Sequence, residues 1–351
     1  MPSPLLQSKL LRTEKPNLEM EVEIPIWQQE IKTAFRSADE LCRFLNVDLD
    51  EMGISAAAAK QFPLFVPRGF ASRMESGNST DPLLRQVLNV AQEEVVDAQF
   101  KVDPVGESQA DLAPGLLQKY AGRALLIVTG VCAVHCRYCF RRHFPYQSFQ
   151  QIGAAAGRWQ PALDAVRSDE SIHELLLSGG DPLVLTDDLL TELITMLENI
   201  PHLKRLRIHT RTPIVIPSRV TEALVNRLVS SRLAVWFVVH ANHGNELGTE
   251  VLDSLNRLIA AGIPVLNQTV LLKGVNDSCE ALEELFTKLA DASVLPYYLH
   301  QLDRVAGAAH FEVPIETGKQ LIKQLRTKLP GYAVPRYVQE IPEELAKTIL
   351  A

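Results

Sequence analysis

Cys132, Cys136 and Cys139 stand at C-x3-C-x2-C spacing in the stretch Val131-Cys132-Ala133-Val134-His135-Cys136-Arg137-Tyr138-Cys139-Phe140-Arg141-Arg142-His143. Only Cys42 and Cys279 occur elsewhere, and neither sits in a motif. Thiolates this close in sequence share a metal, and the two candidates are an iron–sulfur cluster and a zinc ion. Structural zinc takes four ligands, normally as two separated pairs, which here would require His135 or His143. A cubane cluster held by three cysteines keeps one iron open, and an open iron can bind a substrate.

The cysteines follow an apolar run at 124–128. Further leucine-rich or β-branched runs lie at 174–177, 205–208, 235–239, 265–270 and 297–300, alternating with amphipathic helical patterns. After the first interval they recur about every thirty residues, the size of a βαβ unit. Six parallel strands are expected, curled by right-handed crossovers into a barrel or partial barrel. An open doubly wound sheet fits less well, because the first run leads into cysteines and not into a glycine-rich dinucleotide turn. Polar residues gather where each run ends, on the rim where a barrel places its active site. Ser178-Gly179-Gly180-Asp181 follows the second run, His209 and Arg211 the third, His240 the fourth and Asp303 the sixth, while Asn267 and Gln268 lie inside the fifth. Gly179 and Gly180 are expected to bring bare backbone to a ligand, and Asp181 to hold an ammonium.

Composition narrows the class. The 351 residues are 46% hydrophobic with a net charge of −7, enough for a large core and without a basic field that would draw nucleic acid. No apolar run approaches the roughly twenty residues that span a bilayer, and the N-terminus lacks a signal-peptide core, so a cytoplasmic protein is expected. Five cysteines without a disulfide framework agree with a reducing compartment.

The first 120 residues read as a helical lead-in after a charged segment through Ile24 that is expected to be poorly ordered. Ser37-Ala38-Asp39-Glu40 has capping-box spacing ahead of Leu41, Phe44 and Leu45, with Cys42 as a core thiol. The alanine run at 56–59 and Asp81-Pro82 open two more helices. Glu93, Glu94 and Asp97 are expected on a solvated face. A last helix is expected from Pro314 to about Leu329.

The cysteine stretch with its aromatic Tyr138 resembles the signature of radical S-adenosylmethionine enzymes, and Gly179-Gly180-Asp181 resembles the element they carry after the second strand. Adding Arg211-Thr212-Pro213, His240-Ala241-Asn242-His243, Asn267-Gln268, Pro296-Tyr297-Tyr298, Asp303 and Pro342-x4-Lys347-Thr348, the chain from about Asp81 onward resembles the lysine 2,3-aminomutase family in order and spacing. The stretches at 139–146 and 307–311 are most similar to the short bacterial branch that makes (R)-β-lysine for elongation factor P. The resemblance implies a partial (β/α)6 TIM-like barrel over 121–312, with the helical segment 1–120 before it and a C-terminal extension, 313–351, after it.

By that resemblance Cys132, Cys136 and Cys139 hold a [4Fe-4S] cluster. Ser178, Gly179, Gly180, Asp181, His240 and Gln268 surround S-adenosyl-L-methionine. Lys347 carries pyridoxal 5'-phosphate, with Arg123 and Lys119 nominated for its phosphate. Asp303 and Glu340 grip the substrate's ε-ammonium, and Arg141 faces its α-carboxylate. Opposite charges at both ends of L-lysine would fix its length and register.

Reduced flavodoxin or ferredoxin would supply the electron, and elongation factor P with its lysine ligase would be the functional partners. Two departures stand out. Glu343-Glu344-Leu345-Ala346 replaces a glycine-rich run before the cofactor lysine, and Glu340 stands where many members have aspartate. The chain ends at Ala351, without the cysteine-bearing region of the longer enzymes. That speaks against an extensive metal-stabilised assembly and leaves room for a homodimer. The rival readings are a 2,3-aminomutase for free lysine or arginine and, in another class, an iron–sulfur electron carrier or a zinc-stabilised binding protein.

Overall fold

The structure, a computed structural model, describes residues 24–146, 157 and 159–351. The opening segment expected to be poorly ordered lies, Ile24 apart, outside the described residues. All six apolar runs form strands. They belong to one ten-stranded sheet in sequential order: β1 (Asp111–Ala113), β2 (Leu116–Tyr120), β3 (Arg123–Thr129), β4 (Glu174–Gly179), β5 (Arg205–Thr210), β6 (Ala234–Val239), β7 (Val265–Val270), β8 (Leu295–His300), β9 (Arg336–Gln339) and β10 (Thr348–Ile349). Strands β3 to β9 run parallel, and β1, β2 and β10 add antiparallel ends.

The parallel set therefore has one strand more than expected, since β9 also runs parallel to β8. Its apolar signal is confined to Tyr337 and Val338, too short to read from sequence. The lead-in is likewise not purely helical, because β1 and β2 lie within it.

Strand alternation explains the architecture. Along β5, Leu206 and Ile208 face the core beneath the helices, while Arg207 and His209 face a central cavity. The same division holds for Leu175 and Leu177 against Leu176 and Ser178 on β4, and for Leu299 against Tyr298 and His300 on β8. Leu117 of β2 and Ile349 of β10 line that one cavity, so the sheet is curled around it although its two edge strands do not pair. Outside, Asp187–Glu198 buries Leu190, Leu193, Ile194 and Leu197 at helical spacing and is capped by Thr186 Oγ1 accepting from Leu189 N. Thr221 and Ser278 cap Glu222–Val229 and Cys279–Asp291 in the same way. The last expected helix spans Ile315–Lys328.

The lead-in helices Ile26–Lys32, Ala38–Leu45, Arg68–Ala71 and Pro82–Arg85 share an apolar cluster in which Trp27, Leu41, Cys42, Phe70 and Leu84 meet Ala133 and Val134 of the cysteine loop, and the expected helix at Ala56–Gln61 forms outside that cluster. Cys42 is a core thiol, fully buried. Ser37 precedes its helix but makes no side-chain cap bond, so the capping box does not form. No described helix is long and apolar enough to cross a membrane.

Glu93 departs from expectation most sharply. It is buried, and its carboxylate takes Arg137 Nε at 2.9 Å, Arg137 Nη2 at 2.5 Å and Arg142 Nη2 at 2.6 Å. Two guanidiniums of the cysteine loop draw an acidic residue inward that would otherwise stay in water. The lead-in thus fixes the loop through charge as well as through packing.

Candidate active site

The cavity inside the curled sheet has a volume of about 580 Å3. Cys132, Cys136, Cys139 and Arg141 reach it from the loop after β3, and Ser178, Gly179, Gly180 and Asp181 from the end of β4. His240 and Gln268 reach it from β6 and β7, Asp303 from beyond β8, and Glu340 and Lys347 from the segment joining β9 to β10. Lys119 and Arg123 complete the wall from β2 and β3. The residues assigned from the sequence to the cluster, to S-adenosylmethionine, to pyridoxal phosphate and to the substrate thus line one cavity, whereas Asn267, placed on the same rim, is buried against Ala241 outside it.

Burial pushes the Cys132 thiol well above its ordinary range and Cys139 up to about 12, so a cationic centre is needed to hold them as thiolates. Arg211 Nη1 donates to Cys136 Sγ at 2.7 Å and also to Tyr138 Oη at 2.7 Å. Neither histidine of the zinc alternative joins the thiols. His135 turns Nδ1 to Pro63 O at 2.7 Å and stacks on Phe62, and His143 turns Nε2 to Ala306 O at 3.0 Å. Among the described residues no group of three or more His, Cys, Asp or Glu is arranged around a single metal ion. A cubane asks for no such group, because each thiolate binds a different iron.

The Gly-Gly-Asp element works differently from expectation. A Cβ on Gly179, at φ +116°, would lie 2.5 Å from Thr129 O, and one on Gly180 would lie 2.2 Å from Val131 O. The glycines are therefore required first by the close approach of the β4 end to the chain leaving β3. Gly180 N donates to Thr129 O, and Gly179 O accepts from Tyr146 Oη and Arg141 Nη1. Asp181 Oδ1 accepts from Leu183 N at 2.9 Å and Thr210 Oγ1 at 2.6 Å, and Oδ2 from Arg211 N at 2.7 Å and Thr212 N at 2.9 Å. With four donors already placed, the carboxylate clasps the β4 and β5 ends together and is not free for an ammonium.

Arg141 is likewise engaged. It makes a two-pronged pair with Glu107, Nε to Oε2 at 2.8 Å and Nη2 to Oε1 at 2.6 Å, while Nη1 donates to Ser178 Oγ at 2.9 Å. Across the cavity Lys347 Nζ donates to Glu340 Oε2, and Tyr120 Oη donates to Glu340 Oε1 at 2.7 Å. Burial pushes Glu340 up, but Lys347 and these hydrogen bonds outweigh it and hold the carboxyl below its usual range. Asp303 has no hydrogen bond from its carboxyl to any described residue. Burial pushes it up to about 7, Glu340 and Glu107 adding to the rise while Lys347 and Lys119 oppose it. Lys119 is spent on Val105 O and Glu340, whereas Arg123 lies over the Tyr120 ring with its guanidinium 4.5 Å from the centroid.

A model of the radical SAM superfamily matches residues 126–286. An L-lysine 2,3-aminomutase of Escherichia coli is 48% identical over 325 residues, covering 92% of this chain and 94% of that protein. The L-lysine 2,3-aminomutase of Haemophilus influenzae is 43% identical, covering 93% and 95%. The chain belongs to the lysine 2,3-aminomutase family. Among solved structures, a radical SAM methyltransferase from Sphaerobacter thermophilus aligns at 20% identity with a TM-score of 0.42, over 64% of this chain and 68% of that one.

Membership in the radical SAM superfamily implies a [4Fe-4S] cluster and S-adenosylmethionine. The donor set fits, since three thiols face one cavity without a histidine beside them. The family segment at 126–286 contains the cysteines, Gly179-Gly180-Asp181, His240 and Gln268. Asp303, Glu340 and Lys347 lie beyond it.

Several residues of the site carry no sequence signal. Glu107 sits in an unremarkable stretch of the lead-in, and only the fold shows that it neutralises Arg141. Glu246 and Gln86, which hold Arg211 Nη2 at 2.8 and 2.7 Å, are equally silent.

Proposed function

We propose that the protein is a lysine 2,3-aminomutase that converts L-lysine to (R)-β-lysine using a [4Fe-4S] cluster, S-adenosylmethionine and pyridoxal phosphate. The observation that carries this reading is that Lys347, Glu340 and Asp303 line the same cavity as the three cysteines. A radical generator and an amine carrier would then share one enclosed space. Bound there, S-adenosylmethionine and pyridoxal phosphate supply respectively a hydrogen-abstracting radical and a conjugated carrier for the migrating α-nitrogen.

The chain's own residues supply position. Cys132, Cys136 and Cys139 would each hold one iron. Arg123 is the better-placed candidate for the pyridoxal phosphate group, because Lys119 is already paired with Glu340. Glu340 holds a primary ammonium, that of Lys347, and this is the group it would recognise at the far end of the substrate. With its second oxygen bonded by Tyr120 and its first ion pair made to a lysine ammonium, Glu340 would share the substrate's ε-ammonium with Asp303. Arg141 has one Nη2 hydrogen outside its bonds to Glu107, Ser178 and Gly179, and this would meet the α-carboxylate. The curled sheet would shield the reacting carbons from water once the cavity is filled.

The likeness of 139–146 and 307–311 to the short bacterial branch supports a narrower role: the β-lysine would be made for attachment to elongation factor P, with flavodoxin or ferredoxin as reductant and a homodimer as the assembly. Anaerobic reconstitution followed by chiral product analysis with lysine, arginine and glutamate tests the reading. (R)-β-lysine is the expected product. β-Arginine, β-glutamate or no turnover by a protein loaded with all three cofactors would overturn it.

A further inference from the structure

Three cavity imidazoles are tied to one residue. Gln268 Nε2 donates to His209 Nδ1 at 3.2 Å, Gln268 Oε1 faces His300 Nε2 at 3.2 Å, and the Gln268 backbone carbonyl faces His240 Nδ1 at 2.9 Å. A carbonyl only accepts, so His240 carries its proton on Nδ1 and leaves Nε2 bare. Tyr138 is consistent with that assignment. Its hydroxyl oxygen accepts from Arg211 Nη1 and Asn242 Nδ2 at 2.7 and 2.6 Å, and its own hydrogen goes to His240 Nε2 at 2.8 Å.

The same logic runs through the side chain. The amide end of Gln268 makes His209 Nδ1 an acceptor, which places the His209 proton on Nε2, and the oxygen end makes His300 Nε2 a donor. Burial keeps all three rings neutral, and the cations Lys347, Arg207 and Arg141 act on His209 in the same direction. His209 Nε2 is buried and has no hydrogen-bond partner among the described residues, although its ring lines the cavity. A buried N–H left unpaired is costly unless something enters to accept it. Lys347 lines the same cavity as this ring, so the open donor faces the space into which the lysine reaches.

We infer that Gln268 is a positioning residue that sets the proton positions of His209, His240 and His300, and that the His209 Nε2–H so presented donates to an oxygen of the ligand carried beside Lys347. The inference rests on the reading of Lys347 as the pyridoxal phosphate lysine, but its first test does not depend on turnover.

Protein labelled with [15N]histidine and reconstituted anaerobically is examined by long-range 1H–15N correlation, with His209 and His300 assigned through His209→Gln and His300→Gln. The expected His209 pattern is that of the Nε2–H tautomer, with the bare Nδ1 signal far downfield. Pyridoxal 5'-phosphate added alone should shift the Nε2–H signal. In Gln268→Glu, a side chain of the same shape whose ionised form only accepts, His209 should move to the Nδ1–H tautomer or to imidazolium while His300 Nε2 stays protonated. A Nδ1–H His209 in the unmodified protein, a pattern untouched by Gln268→Glu, or a signal indifferent to pyridoxal phosphate overturns the inference. The first two outcomes leave the proposed aminomutase standing. The expected pattern in a protein without aminomutase activity would sink that function and keep the positioning role.

Discussion

Arg211 Nη1 lies 2.7 Å from Cys136 Sγ, so the middle thiolate of the cysteine loop receives a charge-assisted hydrogen bond from the end of β5. Bonds to cluster sulfurs stabilise the more negative, reduced state and raise its potential. Arg211→Lys would keep a cation near Glu246, its 2.8 Å partner, while losing the fork that reaches the sulfur. The cluster should still assemble, with a midpoint potential lower by tens of millivolts, on the order of 60 mV for each 1.4 kcal/mol of lost bonding. A redox titration followed by electron paramagnetic resonance checks this, and an unchanged potential would show that the contact does not tune the cluster.

Cys132→Ala, Cys136→Ala and Cys139→Ala should each lose cluster iron and all turnover, because two thiolates leave the cubane too little ligation. Cys42→Ser and Cys279→Ser should retain iron, since both thiols are buried in apolar clusters away from the cavity. Iron and sulfide analysis of the set separates the outcomes. A Cys136→Ala protein with full iron content sinks the ligand assignment.

Lys347→Ala should abolish borohydride fixation of pyridoxal phosphate while leaving cluster iron intact, because the lysine sits beside β10 and the cysteines lie in the loop after β3. Peptide mapping of the reduced protein should place the pyridoxyl label on Lys347. A label on Lys119, also in the cavity wall, would reassign the cofactor lysine.

The strands are legible in the sequence because each of the six runs carries a local apolar signal, continuous at 124–128 and 235–239 and alternating at 205–208, and the rim is legible because strand ends converge in a curled parallel sheet whatever the side chains do. Partners whose pairing depends on residues far apart are not legible there. Glu93 and Arg137 are 44 positions apart, and nothing local to either distinguishes a buried ion pair from a solvated face. Asp181 shows the limit from the other side. Its motif is conspicuous, yet only the positions of Thr210, Arg211 and Thr212 reveal that its carboxylate is occupied.

Glu93→Ala should destabilise the fold strongly, since it leaves Arg137 and Arg142 buried without their carboxylate. Breaking such a buried pair costs about 3–5 kcal/mol. The damage should centre on the cysteine loop, so cluster retention on gel filtration should fall along with the melting temperature. Gln92→Ala, one residue before it and exposed, serves as the control and should change neither. If Glu93→Ala melts with the unmodified protein, the pair is not holding the loop.

Asp303 gives the site a pH dependence whose sign can be worked out. Burial raises its carboxyl from the usual range near 4 to about 7, so the fold favours the neutral form. The stability that this group contributes is therefore fully present below about pH 4 and is lost as pH rises to about 7. On the proposed recognition of the ε-ammonium, lysine binding should run the opposite way, because only the carboxylate would attract that cation. KM for lysine should fall as pH rises through about 7, and binding below that pH should release a proton. Asp303→Asn should remove both the KM limb and the loss of stability, and should weaken the preference for lysine over its uncharged isostere norleucine. The discrimination lost is on the order of a hundredfold, about 3 kcal/mol, if water is excluded from the pair. Competition kinetics across pH 5.5–8.5, run alongside melting curves for both proteins, decide the matter. An Asn variant that keeps the KM limb and the preference for lysine would leave Asp303 with a purely structural role.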